Sequence, residues 1–218
     1  MIMVDRIFAI FGASGFGREI MPLARATRET ESFELVFVDD SPPVEELNGH
    51  RVMSYGAFLD LESGEKFVAV AIADGDVRQK VSDRCVSDGL NIWSVSAMNT
   101  VVLYSVEIGE GSILCPFVTL TSNISVGKSF HANIYSYVAH DCIIGDYVTF
   151  APSVKCNGNI VIEDHAYIGT GAVLKQGKPG KPLTIGKGAI VGMGAVVTKD
   201  VAAGVIVVGN PAKPLQRA

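Results

Sequence analysis

From Val102 to Leu174 an aliphatic or similarly compact residue returns at every sixth position without a break in frame. The phase holds Val102, Ile108, Leu114, Leu120, Val126, Ala132, Val138, Ile144, Phe150, Cys156, Ile162, Ile168 and Leu174. Four residues after each sits a second, mostly small or aliphatic set that runs from Val106 and Ser112 through Ile124, Cys142 and Val154 to Ala172. Neither the helical period of 3.6 nor the strand period of two produces a strict six-residue repeat. A β-helix does: each hexad forms one flat side, three hexads close a triangular coil, and stacked coils bury the first and fifth positions. The frame is interrupted by KQGKPGKPLT after Leu174 and resumes at Ile185, Val191, Val197 and Ala203. A loop extruded from a solenoid commonly lines its binding face.

The residues before the repeats read differently. RIFAIF is a short apolar strand, GASGFG a turn, and REIMPLARATR a helix with Ile20, Leu23 and Ala24 on one face. ELVFVDD is a second strand ended by Asp39 and Asp40, followed by a Pro-containing loop. EKFVAVAIAD is then a third strand, and DVRQKVSDRCVSDG a helix that stops at Gly89. That order predicts a small parallel sheet of Rossmann-like type. The fold class expected is therefore α/β followed by β: a Rossmann-like domain over residues 1–96 and a parallel β-helix of hexapeptide repeats over 97–218. Gly12, Gly15 and Gly17 form G-x-x-G-x-G, which permits a tight turn and lets a phosphate approach backbone N–H groups at a helix start. Asp39 and Asp40 lie where an acid after the second strand meets a ribose or base. Asp74 and Arg78 follow the third strand near the same edge, with Arg78 able to reach a phosphate. The alternatives are a plain strand-to-helix turn with solvated acids and a surface arginine. With only about 95 residues before the repeats, one nucleotide half-site fits and a full dinucleotide site does not.

A net charge of −5 and the lack of a basic run argue against a nucleic-acid partner. The apolar start carries Asp5 and Arg6 and is broken by glycines, matching neither a signal peptide nor a membrane span. A cytoplasmic protein without membrane insertion is expected. Cys85, Cys115, Cys142 and Cys156 include no C-x-x-C pair, and two of them fall on inward repeat positions, so reduced core thiols are expected.

The repeat phase also sorts out which side chains are free for chemistry. His140 occupies a third, outward position with Asp141 next to it, and Gly158 follows eighteen residues later. One coil up on the same side, Gly158 lies about 4.8 Å away at strand spacing, leaving a notch and an exposed backbone N–H over the imidazole. A solvated histidine above a turn glycine is the alternative. His131 and His165, 34 residues apart, come to roughly 10 Å on similar sides, too far to share a metal within one subunit. No metal site is expected.

Taken together, IFGASGFGREI, AIADGDVR, the hexads, VAHDCIIGD, VKCNGNIVIEDHAYIGTGAVL and the closing VVGNPAKPL resemble the bacterial sugar acyltransferases of the PglD/NeuD type. The resemblance covers nearly the whole chain. It implies transfer of an acetyl group from acetyl-CoA to a nucleotide-linked amino sugar, of the 4-amino-4,6-dideoxy kind, for surface glycan assembly. It also implies that the β-helix is left-handed and that the protein is a homotrimer with active sites between adjacent β-helices. By resemblance His140 is the general base, Asp141 orients it, and the Gly158 N–H receives the carbonyl oxygen. CoA would run past Gly158, Thr170, Gly192 and Gly194, with the lysines of residues 175–183 near its phosphates. The sugar nucleotide would sit on Gly12, Ser14, Gly15, Asp39, Asp40 and Asp74, with Arg78 nearby, and reach the neighbour's His140. Two positions depart from the family pattern: Phe16 and Thr149 stand where many relatives have histidine, and the Thr149 hydroxyl is expected to hydrogen-bond near the acetyl group. Two competing functions use the same parts, a sialic-acid-type O-acetyltransferase and a noncatalytic sugar-nucleotide-binding scaffold.

Overall fold

The computed structural model describes residues 6–27, 33–62 and 64–215. The chain divides into two compact units, Met1–Met98 and Asn99–Ala218. Arg28 at the end of the expected first helix and the closing residues 216–218 lie outside the described residues.

The first unit follows the order β1 (Arg6–Phe11), α1 (Gly15–Ala26), β2 (Glu34–Asp39), β3 (Glu46–Leu47), β4 (His50–Ser54), α2 (Tyr55–Leu59), β5 (Glu65–Val70), α3 (Gly75–Ser87) and β6 (Asn91–Ile92). Its sheet runs β3-β4-β2-β1-β5-β6, parallel throughout except for the β3–β4 hairpin. β1 is central, and its continuous apolar run is explained by burial of Ile7 through Phe11 on both faces. The chain leaves β1 for β2 on one side and later returns to β5 on the other. The carboxyl ends of these three strands therefore meet at a topological switch point, where Rossmann-like sheets open a crevice.

Two details differ from the sequence expectation. The buried stripe of α1 is Gly17, Ile20, Met21 and Ala24, with Leu23 only half-buried. Gly17 packs against the preceding turn and sets an i, i+3, i+4, i+7 face that excludes Leu23. The stretch expected as a loop instead holds the β3–β4 hairpin and α2. Its turn is Asn48-Gly49 with φ of 51° and 77°, the two-residue hairpin chemistry that Asn-Gly favours.

The second unit is the β-helix. Partners stack eighteen residues apart, as in Leu120↔Val138, Ile124↔Cys142 and Ala132↔Phe150. Three parallel sheets form its sides. The first contains Thr119–Leu120, Tyr137–Val138, Lys155–Cys156 and Val173–Leu174; the second contains Ile124–Val126, Cys142–Ile144 and Ile160–Ile162; the third contains His131–Ala132, Thr149–Phe150 and Tyr167–Ile168. The inward residues from Leu114 to Leu174 and from Val118 to Ala172 make one core, with Phe130 and Phe150 edge to face at 5.1 Å. Each such aliphatic or aromatic side chain contributes about 1.5–3 kcal/mol on burial. The frame fails at the ends: Ala203 is exposed while Val201 and Val207 are buried, because these two pair with Ile185 and Val191, sixteen and not eighteen residues back, and Val102 and Ile108 are 44% and 37% exposed. A terminal coil is covered by a neighbouring coil on one face only. All four cysteines are free and buried.

The coils turn at three corners, each with a residue in the left-handed region. Ser105, Asn123, Asp141 and Asn159 mark the first corner, Ser129, Tyr147 and His165 the second, and Phe117, Tyr135 and Ser153 the third, with φ between 52° and 64°. The excursion after Leu174 leaves at the first corner: Ile162 pairs with Ile185, 23 residues on, so five residues are added to one coil.

Candidate functional site

His140 and Asp141 turn the first corner between the first and second sheets, and the positive φ of Asp141, 59°, folds its carboxylate back beside the imidazole. Nδ1 of His140 lies 2.7 Å from Oδ2 of Asp141. The other carboxylate oxygen accepts from Asn123 Nδ2 at 3.2 Å, one coil below. These two hydrogen bonds, the His140 contact first, hold the Asp141 carboxyl below its ordinary range. Because an ionised carboxylate only accepts, Nδ1 carries its hydrogen and Nε2 is left with a free lone pair. Both side chains are about half exposed, 48% and 47%, so the pair is open to a ligand.

Above the ring lies Gly158. A Cβ built there would meet His140 Cε1 at 2.6 Å, Nε2 at 2.7 Å and Nδ1 at 3.0 Å, so the imidazole lies flat against bare backbone. The Gly158 carbonyl accepts from Gly177, and the Asn159 N–H bonds the His140 carbonyl, yet among the described residues the Gly158 N–H has no acceptor. Asn157 pins this strand end, accepting from the Tyr137 hydroxyl at 2.9 Å and donating to the Leu174 carbonyl at 2.7 Å. The basic excursion rises directly over the same corner, through the Gly177 to Gly158 bond and a Lys178–Lys181 bridge. Below, an open groove of about 720 Å³ is lined by Ser105, Glu107, Asn123, Ser125, Asp141 and Ile143. An imidazole held by a carboxylate, beside a backbone N–H without an acceptor among the described residues, suits acyl transfer to a nucleophile.

The remaining expected residues fall in three places. Thr170, Gly192 and Gly194 gather at the third corner, where the Gly194 N–H donates to the Thr170 carbonyl at 2.8 Å. That corner and the His140 corner flank the same side of the prism. Thr149 does not join them within one chain. It is 4% exposed on the third sheet, the side of the triangle opposite the His140 corner. His131 lies on that same sheet, and His165 stacks on Tyr147 at 5.4 Å at the second corner. Among the described residues no three histidine, cysteine or acidic side chains cluster for a metal.

In the first unit, Gly12, Ser14 and Gly15 make the turn from β1 into α1, with Asp39, Asp40 and Asp74 at the ends of the neighbouring strands. Gly12 adopts φ 114°, and its N–H bonds Val38. A Cβ on Gly17 would lie 1.8 Å from the Gly12 carbonyl oxygen. Gly17→Ala therefore forces backbone apart on both sides and is expected to cost about 3 kcal/mol, the upper part of the overpacking range, read as an earlier urea midpoint. The acids are committed to structure. Asp39 accepts from the Ala13 and Ser41 N–H groups, Asp74 caps α3 by accepting from Val77, and Asp40 takes a bidentate bond from Arg84. Arg84 itself rests 4.2 Å over the Tyr55 ring. Arg78 is neither a phosphate arm nor a surface residue: it is wholly buried and donates to the Ile72 and Ala73 carbonyls, tying down the turn into α3. What stays open at the crevice is Ser14, an N-cap whose hydroxyl makes no capping bond, ahead of a first turn without acidic residues.

Residues 8–85 match the family model described as the PglD N-terminal domain. Over 214 residues the chain is 51% identical to the GDP-perosamine N-acetyltransferase of Escherichia coli O157:H7, covering 97% of each. The chain belongs to the PglD-type sugar acetyltransferases. Among solved structures it is similar to WeeI from Acinetobacter baumannii AYE, with 61% identity, a TM-score of 0.93 and coverage of 96% of this chain and 100% of that one. It is also similar to PerB from Caulobacter crescentus, solved in complex with CoA and GDP-perosamine, with 27% identity, a TM-score of 0.86 and coverage of 96% and 97%. Sequence reasoning missed three residues of the candidate site, Asn123, Asn157 and Tyr137. The repeat held the signal for the first, since Asn123 precedes Asp141 by eighteen residues at the same corner.

Proposed function

We propose that this PglD-type enzyme transfers the acetyl group of acetyl-CoA to the amino group of a GDP-linked amino sugar such as GDP-perosamine, forming an amide and releasing CoA. The observation that carries the chemistry is the contact of the His140 ring with Gly158, below a backbone N–H that has no acceptor among the described residues. The sugar amine attacks the thioester carbonyl while His140 Nε2 takes its proton, and Asp141 balances the imidazolium that forms. The carbonyl oxygen gains charge as the C–N bond forms, and the Gly158 N–H donates to it. Collapse breaks the C–S bond, and the proton on His140 passes to the departing thiolate.

Acetyl-CoA lies along the side flanked by the two corners, past Gly158, Thr170, Gly192 and Gly194, with Lys175, Lys178 and Lys181 toward its phosphates. The diphosphate of the sugar nucleotide rests on Ser14, Gly15 and the uncapped first turn of α1, where N–H groups and the helix dipole favour an anion. Three copies assemble so that this crevice and Thr149 of one serve His140 of another. The exposed apolar residues Phe117, Ile134, Tyr135 and Ile143 on the β-helix support such packing. Among the described residues no helix is long and apolar enough to cross a membrane, in keeping with a reaction in the cytoplasm, where acetyl-CoA is at hand.

Thiol release is the test. Acetyl-CoA with GDP-perosamine is expected to yield CoA and an alkali-stable amide, with UDP- and dTDP-amino sugars turning over more slowly. If a panel of GDP-, UDP- and dTDP-amino sugars releases no CoA, the proposal fails, and an alkali-labile ester product would reassign the chain to O-acetylation.

A further inference from the structure

Asn123 is an outward residue at the corner one coil below Asp141, and its backbone sits at φ 56°, a conformation that asparagine tolerates better than most residues. Its N–H bonds the Tyr104 carbonyl at 3.1 Å, which fixes the backbone from the coil below. From there the carboxamide donates to Asp141 Oδ1 at 3.2 Å, while Asp141 Oδ2 faces His140 Nδ1 at 2.7 Å. The carboxylate is thus held from both ends. A freely turning aspartate that is 47% exposed would otherwise share its oxygens with water. The neighbouring rungs do not duplicate the contact: the corner holds Ser105 two coils below Asp141 and Asn159 one coil above it.

We propose that Asn123 is a positioning residue for the acetyl transfer, locking the Asp141 carboxylate so that it fixes the orientation and Nδ1–H tautomer of His140. The inference rests on the acetyltransferase reading. Asn123 touches neither the thioester nor the amine; it acts through Asp141, as outer partners of a base commonly do. Other ionisable groups share the corner. Glu107 lines the same groove, Cys142 lies buried beneath it, and Lys175, Lys178 and Lys181 belong to the loop above.

Two substitutions keep the left-handed backbone, Asn123→Gly and Asn123→Asp, so neither confounds the result with turn strain. Wild type and His140→Ala are assayed first with acetyl-CoA and GDP-perosamine. No turnover by wild type, or full turnover by His140→Ala, would sink the acetyl-transfer reading itself. Given that those two behave, Asn123→Gly is expected to lower kcat roughly 3- to 10-fold, a part of the ~100-fold or more that a general base supplies, with both KM values within about two-fold of wild type. Asn123→Asp places a second carboxylate at the corner. A nearby anion favours a protonated base, and the base works unprotonated, so the acid limb of kcat/KM is expected to move to higher pH. A purely structural role would lower the thermal midpoint of both variants and leave the acid limb in place. Wild-type kcat in Asn123→Gly, or an unmoved acid limb in Asn123→Asp, overturns the assignment.

Discussion

His140→Ala is expected to lower kcat by about 10²- to 10⁴-fold near neutral pH, the span that a positioned general base contributes, while both KM values change little. The imidazole is outside the hydrophobic core and 48% of its side chain is exposed, so its loss is expected to shift stability by no more than about 0.5 kcal/mol. The pH profile identifies the group. His140, with Asn123 second, holds the Asp141 carboxyl below its usual range, so Asp141 is already ionised where an imidazole titrates. An acid limb of wild-type kcat/KM therefore does not come from Asp141, and His140→Ala is expected to change the shape of that limb in the residual rate. Stopped-flow or end-point assay of CoA thiol across pH 5 to 9 reads both effects. A variant that keeps the full rate, or the same acid limb, removes His140 from the mechanism.

The β-helix was far more legible in the sequence than the unit before it, and the reason is translational symmetry. Within the solenoid, a spacing of eighteen residues means one rung up on the same face, so the sequence alone sets Gly158 over His140 and puts Cys142 and Cys156 inside. The same arithmetic reaches Asn123. It also moves Thr149: nine residues are half a coil, which turns the side chain to the opposite side of the triangle. The rule fails where symmetry ends: at Val102 and Ile108 a terminal rung lacks a neighbour on one face, and at Ala203 the last coil is sixteen residues long, so Val201 and Val207 take the inward places.

No such period exists in the α/β unit. Strand order and the crevice follow from apolar runs and glycines, but the destination of each polar side chain depends on how a particular turn folds back. Asp39 reaches across to the Ala13 N–H, Asp40 meets an arginine 44 residues away, and Arg78 reaches back from α3 to bind the carbonyls at 72 and 73. Residue type and position after a strand predict a ligand for these groups equally well as a structural bond. A buried guanidinium needs acceptors, and the turn carbonyls that supply them, invisible in the sequence, claim Arg78 first.

Gly158→Ala is expected to lower kcat by about 10²-fold while leaving the protein folded with a thermal midpoint within a few degrees of wild type. The φ of Gly158 is not in the left-handed region, so alanine is acceptable to the backbone; the conflict is with one side chain. The added methyl would lie 2.6 Å from Cε1 and 2.7 Å from Nε2, whereas comfortable contact needs about 3.5–4.0 Å, so the ring must move by roughly 1 Å. Exposure lets it swing toward solvent at small cost in stability. That motion breaks the 2.7 Å Nδ1 contact to Asp141 and carries Nε2 away from Gly158. A displacement of about 1 Å at a reacting group is enough for a 10²-fold loss. Because both substitutions then act on the same imidazole, the double variant His140→Ala with Gly158→Ala is expected to be little worse than His140→Ala alone. Full additivity of the two losses would mean that Gly158 matters through its own N–H or through room for the thioester, and wild-type kcat in Gly158→Ala would mean that the ring does not work from the position against Gly158.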